Sequence, residues 1–392
     1  AAAERRILFL FDAYGSRKYT LGEDVTITQH SMQAANAAVA AGEGETAILA
    51  CLLHDIGHPP FSHVLETPEV FATYHSHEHW GRVLLESKET EVGAALVSTL
   101  GVQRTQRLFA LMDGATEHDG VAIAPFMKEI VSSQLDVDRM DYMVRDQANT
   151  GAQIGGFDIA RVLRALRVGA DGHFFVKTWG LPAIEAYLVT RYHMYHQVYF
   201  HKVNMLTQNY LVRMLARARL LANEGELTLT PSLNKMLLDE HLDAQGYASL
   251  NDAHVRVSIP EWAEHSDPML SQYATKMMSR RDFHKSLRIE ALSTEMVDVV
   301  KDRIEAAVAD AGYDAASEVI YARISKRGYM PYEQGIMIED GGDASEHSPL
   351  IRSLAQPHER ALIFVPDALR DSLEQRVREW IKPTQSSLVQ FE

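Results

Sequence analysis

Apolar residues recur at helical spacing along most of the first two-thirds of the chain. Residues 30–41 are rich in Ala and are followed by Gly42, which predicts a helix stopped by glycine. Glu45–Asp55 predicts an apolar helix, broken by Gly57 and by Pro59-Pro60. The same spacing predicts helices over His77–Leu85, Val92–Leu100, Gln106–Leu111, Pro125–Leu135, Val137–Arg145 and Asp158–Val168, and a long one over Ala183–Leu221. Phe174–Lys177 reads as one strand of a small hairpin. From about Leu237 the pattern is mixed. Asp252–Ile259 and Pro268–Met278 fit helices, whereas Ser317–Ser325, Gly335–Ile338 and Ala361–Val365 read as strands. Ala368–Ile381 predicts an amphipathic helix that packs on them, and Gly341-Gly342-Asp343 a turn. The expected fold is mainly α, a helical body followed by a C-terminal α+β subdomain.

Composition narrows the chemistry. The 392 residues carry 38 Lys+Arg against 53 Asp+Glu, a formal charge of −15, and only one Cys. A single Cys excludes a disulfide framework and every Cys-rich zinc or iron–sulfur site. The acidic balance argues against a general nucleic-acid binder or a binder of anionic membranes. No apolar run is long enough to span a bilayer, and Ile7–Phe11 is too short for a signal-peptide core. A cytoplasmic location is expected.

The histidines are clustered. Seven of the 18 fall within residues 30–79, at 30, 54, 58, 63, 75, 77 and 79, where even placement would put about two. With thiolates absent, a metal site must be built from His and carboxylates. His54-Asp55 closes the apolar run Ala47–Leu53, and a carboxylate there needs a cation or donors. His30 could supply a third ligand. Asp136, Asp138 and Asp141 offer a further carboxylate in a helical context. Such a set suits a divalent transition metal with positions left for water or substrate. His77-Glu78-His79-Trp80-Gly81 is not a metalloprotease motif, because Gly81 stands where the second His would be. Each histidine also has a plain reading: His58 and His63 as turn caps, and residues 75–79 as a solvated loop.

As a whole, His54-Asp55-Ile56-Gly57-His58-Pro59-Pro60-Phe61-Ser62-His63 closely resembles the signature of the HD-domain phosphohydrolase superfamily. Asp136-Val137-Asp138-Arg139-Met140-Asp141-Tyr142-Met143-Val144-Arg145-Asp146 resembles the later segment of its deoxynucleoside-triphosphate triphosphohydrolase branch. Thr150-Gly151, Phe157-Asp158, Arg161, Thr190-Arg191, Tyr199–Val203, Leu250–Asp252 and Arg280–Lys285 continue the likeness. The resemblance implies an HD-domain helical core over 1–235 and a helical extension with a small α+β subdomain over 236–392. It implies metal ligands His30, His54, Asp55 and Asp138. It places His58, His63 and His77 against the α-phosphate or in proton transfer, with Glu78 orienting His77. Arg139, Tyr142, Asp146, Arg191 and Tyr199 fall around the triphosphate and the sugar. The implied activity is hydrolysis of (deoxy)nucleoside triphosphates to nucleoside and triphosphate. The implied cofactor is a divalent ion (Mn, Fe, Ni, Co, Zn or Mg), and the implied assembly is a homo-oligomer.

Local charge agrees with a polyanionic substrate. Residues 139–215 hold nine Lys+Arg and five Asp+Glu, a net of +4 inside an acidic chain. Tyr195 and Tyr199 are spaced i,i+4 and share a helical face with Arg191, where one could stack on a base or sugar. The sequence departs from the branch in two respects. Ile27 stands where an Arg usually precedes the first His, and no upstream segment with the ribose-excluding Gln is identifiable. Tyr19–Thr26 instead resembles the lead-in of HD-fold diiron oxygenases acting on phosphonates or inositol, for which His77 and His118 would be further ligands. An HD-fold phosphohydrolase acting on another nucleotide or phosphoester, and a nucleotide sensor without turnover, are the further readings.

Overall fold

The computed structural model describes residues 45–289, 294–332 and 335–381. The helix expected over 30–41, His30, Ile27 and the Tyr19–Thr26 lead-in lie outside them. The chain divides into two compact units. One comprises residues up to Val198, Ala218–Ser258 and Gly328–Gln356; the other comprises Tyr199–Arg217, Ile259–Arg327 and the chain from Pro357 onward.

In the first unit the helix Glu45–Leu53 is apolar on every side, and each residue from Ala47 to Leu53 is buried. It packs against the helices Val102–Met112 and Pro125–Val131. Its core includes Leu49, Leu53, Leu85, Leu96, Leu108 and Ile130. Truncating one such fully buried Leu to Ala typically costs about 2–5 kcal/mol, so the helix end is firmly anchored. A second core joins Met140, Met143, Val162, Ile184 and Tyr187 to Ile336, Ile338 and Ile351 from the late segment. There the strands Leu166–Val168 and Phe174–Val176 pair antiparallel, and Phe174–Val176 pairs in parallel with Met337–Ile338.

The second unit holds an antiparallel sheet in the order Lys285–Ser286, Pro357–Val365, Ile320–Arg327. Helices Thr294–Asp310 and Asp367–Trp380 cover it through Val297, Val300, Ile304, Leu373 and Val377, packed on Ile363 and Val365. Among the described residues no helix is long and apolar enough to cross a membrane.

The mainly helical fold with small sheets agrees with the pattern. Several boundaries differ. The span Ala183–Leu221 is two helices, Leu181–Met194 and Lys202–Asn223, separated by a π-helical stretch Tyr195–Tyr199. A wider turn inserts a residue without erasing apolar spacing, so periodicity does not register it. Asp158–Val168 is helical only over Ile159–Ala165, and Leu166–Val168 turns into the hairpin. Ser317–Ser325 begins with a short helix, Ala315–Glu318, which the Asp314 side chain caps, before the strand Ile320–Arg327. Thr294–Asp310 has no counterpart among the expected elements, although its buried Val297, Val300 and Ile304 follow helical spacing.

Candidate active site

His54 and Asp55 follow directly on the buried helix, so its packing fixes their position. His54 Nδ1 donates to the Cys51 carbonyl at 2.9 Å. A carbonyl only accepts, so the neutral ring keeps its lone pair on Nε2. That nitrogen lies 3.2 Å from Asp55 Oδ2 and 4.0 Å from Asp138 Oδ1. One ligand atom from each of the three residues lies within 4.8 Å of the others. An imidazole and two carboxylates form a donor set that fits a divalent ion. Burial opposes protonation of His54, yet Asp55 and Asp138 outweigh it and raise its pKa to about 9. Burial, reinforced by Asp136 and Asp138, pushes the Cys51 thiol up to about 12 and leaves it inert.

Asp138 stands in the first turn of the helix Val137–Thr150. Asp136 caps that helix, accepting from the backbone N–H of Arg139 at 2.7 Å and of Ser133 at 3.0 Å. Burial raises the Asp136 carboxyl to about 6, against the pull of Arg139. The Arg139 guanidinium bonds the Asp136 carboxylate and the Ser133 carbonyl.

A second cluster holds His58, His63, Glu66 and His77. One glycine, Gly57, brings its halves together. A Cβ on Gly57 would lie 2.0 Å from the His77 carbonyl oxygen and 2.2 Å from the Gly81 nitrogen. The helix His77–Glu86 can therefore touch the 54–58 turn only because Gly57 has no side chain. Phe61 and Ser62 then adopt φ of 60° and 50°, a left-handed conformation unusual for such residues, just before His63. Phe61 N–H is tied to Asp252 Oδ1 at 2.8 Å.

Within the cluster His58 Nδ1 donates to the Asp55 carbonyl at 3.1 Å, and the Nε2 atoms of His58 and His63 are 3.3 Å apart. Burial, opposed by Asp55 and reinforced by His63 and His77, pushes the His58 pKa down to about 4, so the ring is neutral near pH 7. Glu66 accepts from His63 Nδ1 at 3.0 Å and from His77 Nδ1 at 2.9 Å. Burial works against the charge on Glu66, but these donors outweigh it and hold the carboxyl down to about 2. Glu78 is 70% exposed and lies 3.4 Å from the other ring nitrogen of His77. The carboxylate on Nδ1 is thus Glu66, which the motif reading does not single out. Its one sequence signal is an acid three residues after His63.

Of the remaining expected residues, Asp146 is buried against Arg145 Nη1 at 3.0 Å. The Tyr142 phenol is pushed well up by burial and by Tyr195 beside it, against Arg191. Arg191 is buried, and its Nη1 has no hydrogen-bond partner among the described residues. Tyr199 belongs to the second unit, where its carbonyl accepts from Asn204 Nδ2 at 3.0 Å. His118 sits in a short strand 3.5 Å from Asp119 and joins neither cluster.

Known proteins resemble this chain in sequence and in fold. Residues 27–145 match the HD domain and residues 157–387 the HD associated region. A crystal structure of a phosphohydrolase from Bacteroides thetaiotaomicron superposes with a TM-score of 0.68 at 26% identity, covering 90% of each chain. A hypothetical protein from Aquifex aeolicus gives 0.68 at 27%, covering 97% of this chain and 95% of its own. The uncharacterized protein YwfO of Bacillus subtilis is 33% identical over 62% of this chain and 53% of its own length. The chain thus spans about half the length of that relative. A phosphonate dioxygenase of Leisingera caerulea is 47% identical, over only 12% of this chain and 24% of its own. Since the associated region alone takes up more than half of the 392 residues, the chain belongs to the family of HD-domain proteins that carry this associated region.

Proposed function

We propose that this chain is a metal-dependent phosphohydrolase that cleaves (deoxy)nucleoside triphosphates to nucleoside and inorganic triphosphate. The observation that carries the reading is the pairing of two groups through Asp55. Its carboxylate faces His54 Nε2 in the ligand group, and its carbonyl holds His58 in the histidine group. His54, Asp55 and Asp138 would hold the ion, with His30 as a further ligand. A bound divalent ion lowers the pKa of its water and polarises a phosphoryl oxygen. His77, fixed on Nδ1 by Glu66, presents Nε2 for proton transfer, and His58, neutral near pH 7, can accept a proton at its own Nε2. Arg139 and Arg191 supply cationic donors for phosphoryl oxygens. The name of the Bacteroides neighbour, a phosphohydrolase, supports the reaction class.

The test is a panel of dNTPs, NTPs, monophosphates and phosphonates incubated with metal-reconstituted protein, products being identified by mass. Deoxynucleoside with intact triphosphate is the expected result. Release of monophosphate or pyrophosphate would overturn the triphosphohydrolase mechanism. The short match to the phosphonate dioxygenase favours a second reading, an oxygenase. Two irons per chain with oxygen consumption on a phosphonate would establish it instead. Tight nucleotide binding without products would point to a sensor.

A further inference from the structure

The turn that follows His54-Asp55 is braced from far along the chain. The helix Ala244–Ala248 is capped by the Asp243 carboxylate, which accepts from the Gly246 N–H at 2.6 Å, and it packs on the helix His77–Glu86. From it the Tyr247 hydroxyl donates to the Gly57 carbonyl at 2.6 Å. Burial and the Glu66 charge push that phenol up, so it stays protonated and donates. The Tyr247 ring lies on Trp80, with centroids 4.0 Å apart at 9°, and both residues are buried. Trp80 follows His77 within one turn of the same helix. One side chain thus touches both partners of the bare backbone contact at Gly57, the turn that carries His58 and the helix that carries His77. Asp252, from the same stretch, takes the Phe61 N–H at 2.8 Å and holds the run between His58 and His63. Tyr247 and Asp252 belong to the HD associated region at 157–387, whereas the groups they hold belong to the HD domain at 27–145. All of them lie in the first unit.

We propose that Tyr247 is a positioning residue, through which the associated region sets the distance and angle between His58 and His77. The two rings stack at 4.1 Å and 13°. The Asp55 carbonyl fixes the rotation of His58, and Glu66 that of His77. Neither bond runs from the 54–58 turn to the helix. Gly57 lets the two backbones meet but has no side chain to hold them together. Tyr247 supplies that hold, its hydroxyl on the turn and its ring on the helix. Without the hydroxyl the buried Gly57 carbonyl loses its donor and the turn is free to shift. Misplacing a reacting group by about 1 Å costs about 100-fold in rate. The effect on rate rests on the hydrolase reading; the effect on the geometry of the two histidines does not.

The test compares Tyr247→Phe, which keeps the ring and drops the hydroxyl, with Tyr273→Phe in the whole chain. Tyr273 is also fully buried and donates to the Ser317 carbonyl at 2.8 Å, but in the second unit. One readout is carbethoxylation by diethyl pyrocarbonate, located by mass spectrometry. His58, with 4% of its side chain exposed, should react about 3–10-fold faster in Tyr247→Phe, the scale of one buried hydrogen bond. The exposed His201 should react at its wild-type rate. The other readout is steady-state kinetics on the best substrate of the panel. There kcat should fall about 10–100-fold with KM within a few-fold. Tyr273→Phe should lose comparable thermal stability and move neither readout. Trp80→Phe, which trims the stack from the helix side, should move both in the same direction as Tyr247→Phe. Equal kcat losses in Tyr247→Phe and Tyr273→Phe overturn the proposal, as does wild-type kcat or wild-type His58 reactivity in Tyr247→Phe. A wild type that hydrolyses nothing refutes only the hydrolase reading, and the His58 reactivity then decides alone.

Discussion

Glu66 grips His77 twice, one oxygen taking the backbone N–H at 2.7 Å and the ring Nδ1–H at 2.9 Å. The ring is therefore oriented before any substrate arrives. Glu66→Ala should lower kcat about 100-fold, the scale of one general acid–base contribution, and leave KM within a few-fold. Steady-state rates on the best substrate of the panel measure both. An equal loss in KM alone would mean that Glu66 serves binding.

The same carboxylate gives acid stability a defined window. Glu66 sits at about 2 against an ordinary 4.5. A depressed carboxyl stabilises the fold above its unfolded pKa, and the contribution is lost as pH falls from 4.5 towards 2. His63 and His77 are the groups that face it. The window holds up to about 3 kcal/mol. Urea unfolding at pH 5.5 and 2.5 should show a smaller pH difference in Glu66→Gln than in the wild type. Parallel curves would remove this role.

Metal retention separates ligands from neighbours. His54→Ala and Asp138→Ala should each abolish turnover and lower the ion count by one. Elemental analysis after gel filtration reads this directly. Full stoichiometry in both variants is incompatible with the ligand group drawn from His54, Asp55 and Asp138.

Gly57→Ala should be costly although only one methyl is added. Its Cβ would meet backbone at 2.0 and 2.2 Å, which cannot yield as a side chain tip does. A loss of about 3 kcal/mol is expected, together with reduced activity, because His77 would be pushed from His58. An unchanged melting temperature would show that the turn relaxes freely.

Arg191 is buried with one guanidinium nitrogen lacking a partner among the described residues. Such a group costs stability unless a ligand meets it. Arg191→Met should therefore keep or raise the melting temperature while lowering kcat/KM about 10–100-fold. A destabilised variant with normal kinetics would make Arg191 structural.

Motifs whose residues lie close in sequence were the most legible. His54, Asp55 and Asp138 meet because a buried helix end faces a capped helix start, and both features are written in short segments. The helical nature of the chain follows from apolar spacing. Glu66 escapes that reading because its meaning comes from two histidines that only the fold brings to it, His63 just after the left-handed turn at Phe61 and Ser62 and His77 at the start of a later helix. The π-helical stretch Tyr195–Tyr199 escapes it too, since one extra residue leaves aromatic positions in phase. His30, the remaining expected ligand, lies outside the described residues.

The parallel pairing of Phe175 with Met337 has a consequence for biosynthesis. The chain leaves the first unit at Ser258 and returns at Gly328. Ile336, Ile338 and Ile351, which complete the core around Tyr187, thus emerge from the ribosome long after the residues they cover. Loop closure over such a separation slows folding. A nascent chain ending before residue 328 holds that core open, so it is a natural client for chaperones until translation passes the late segment.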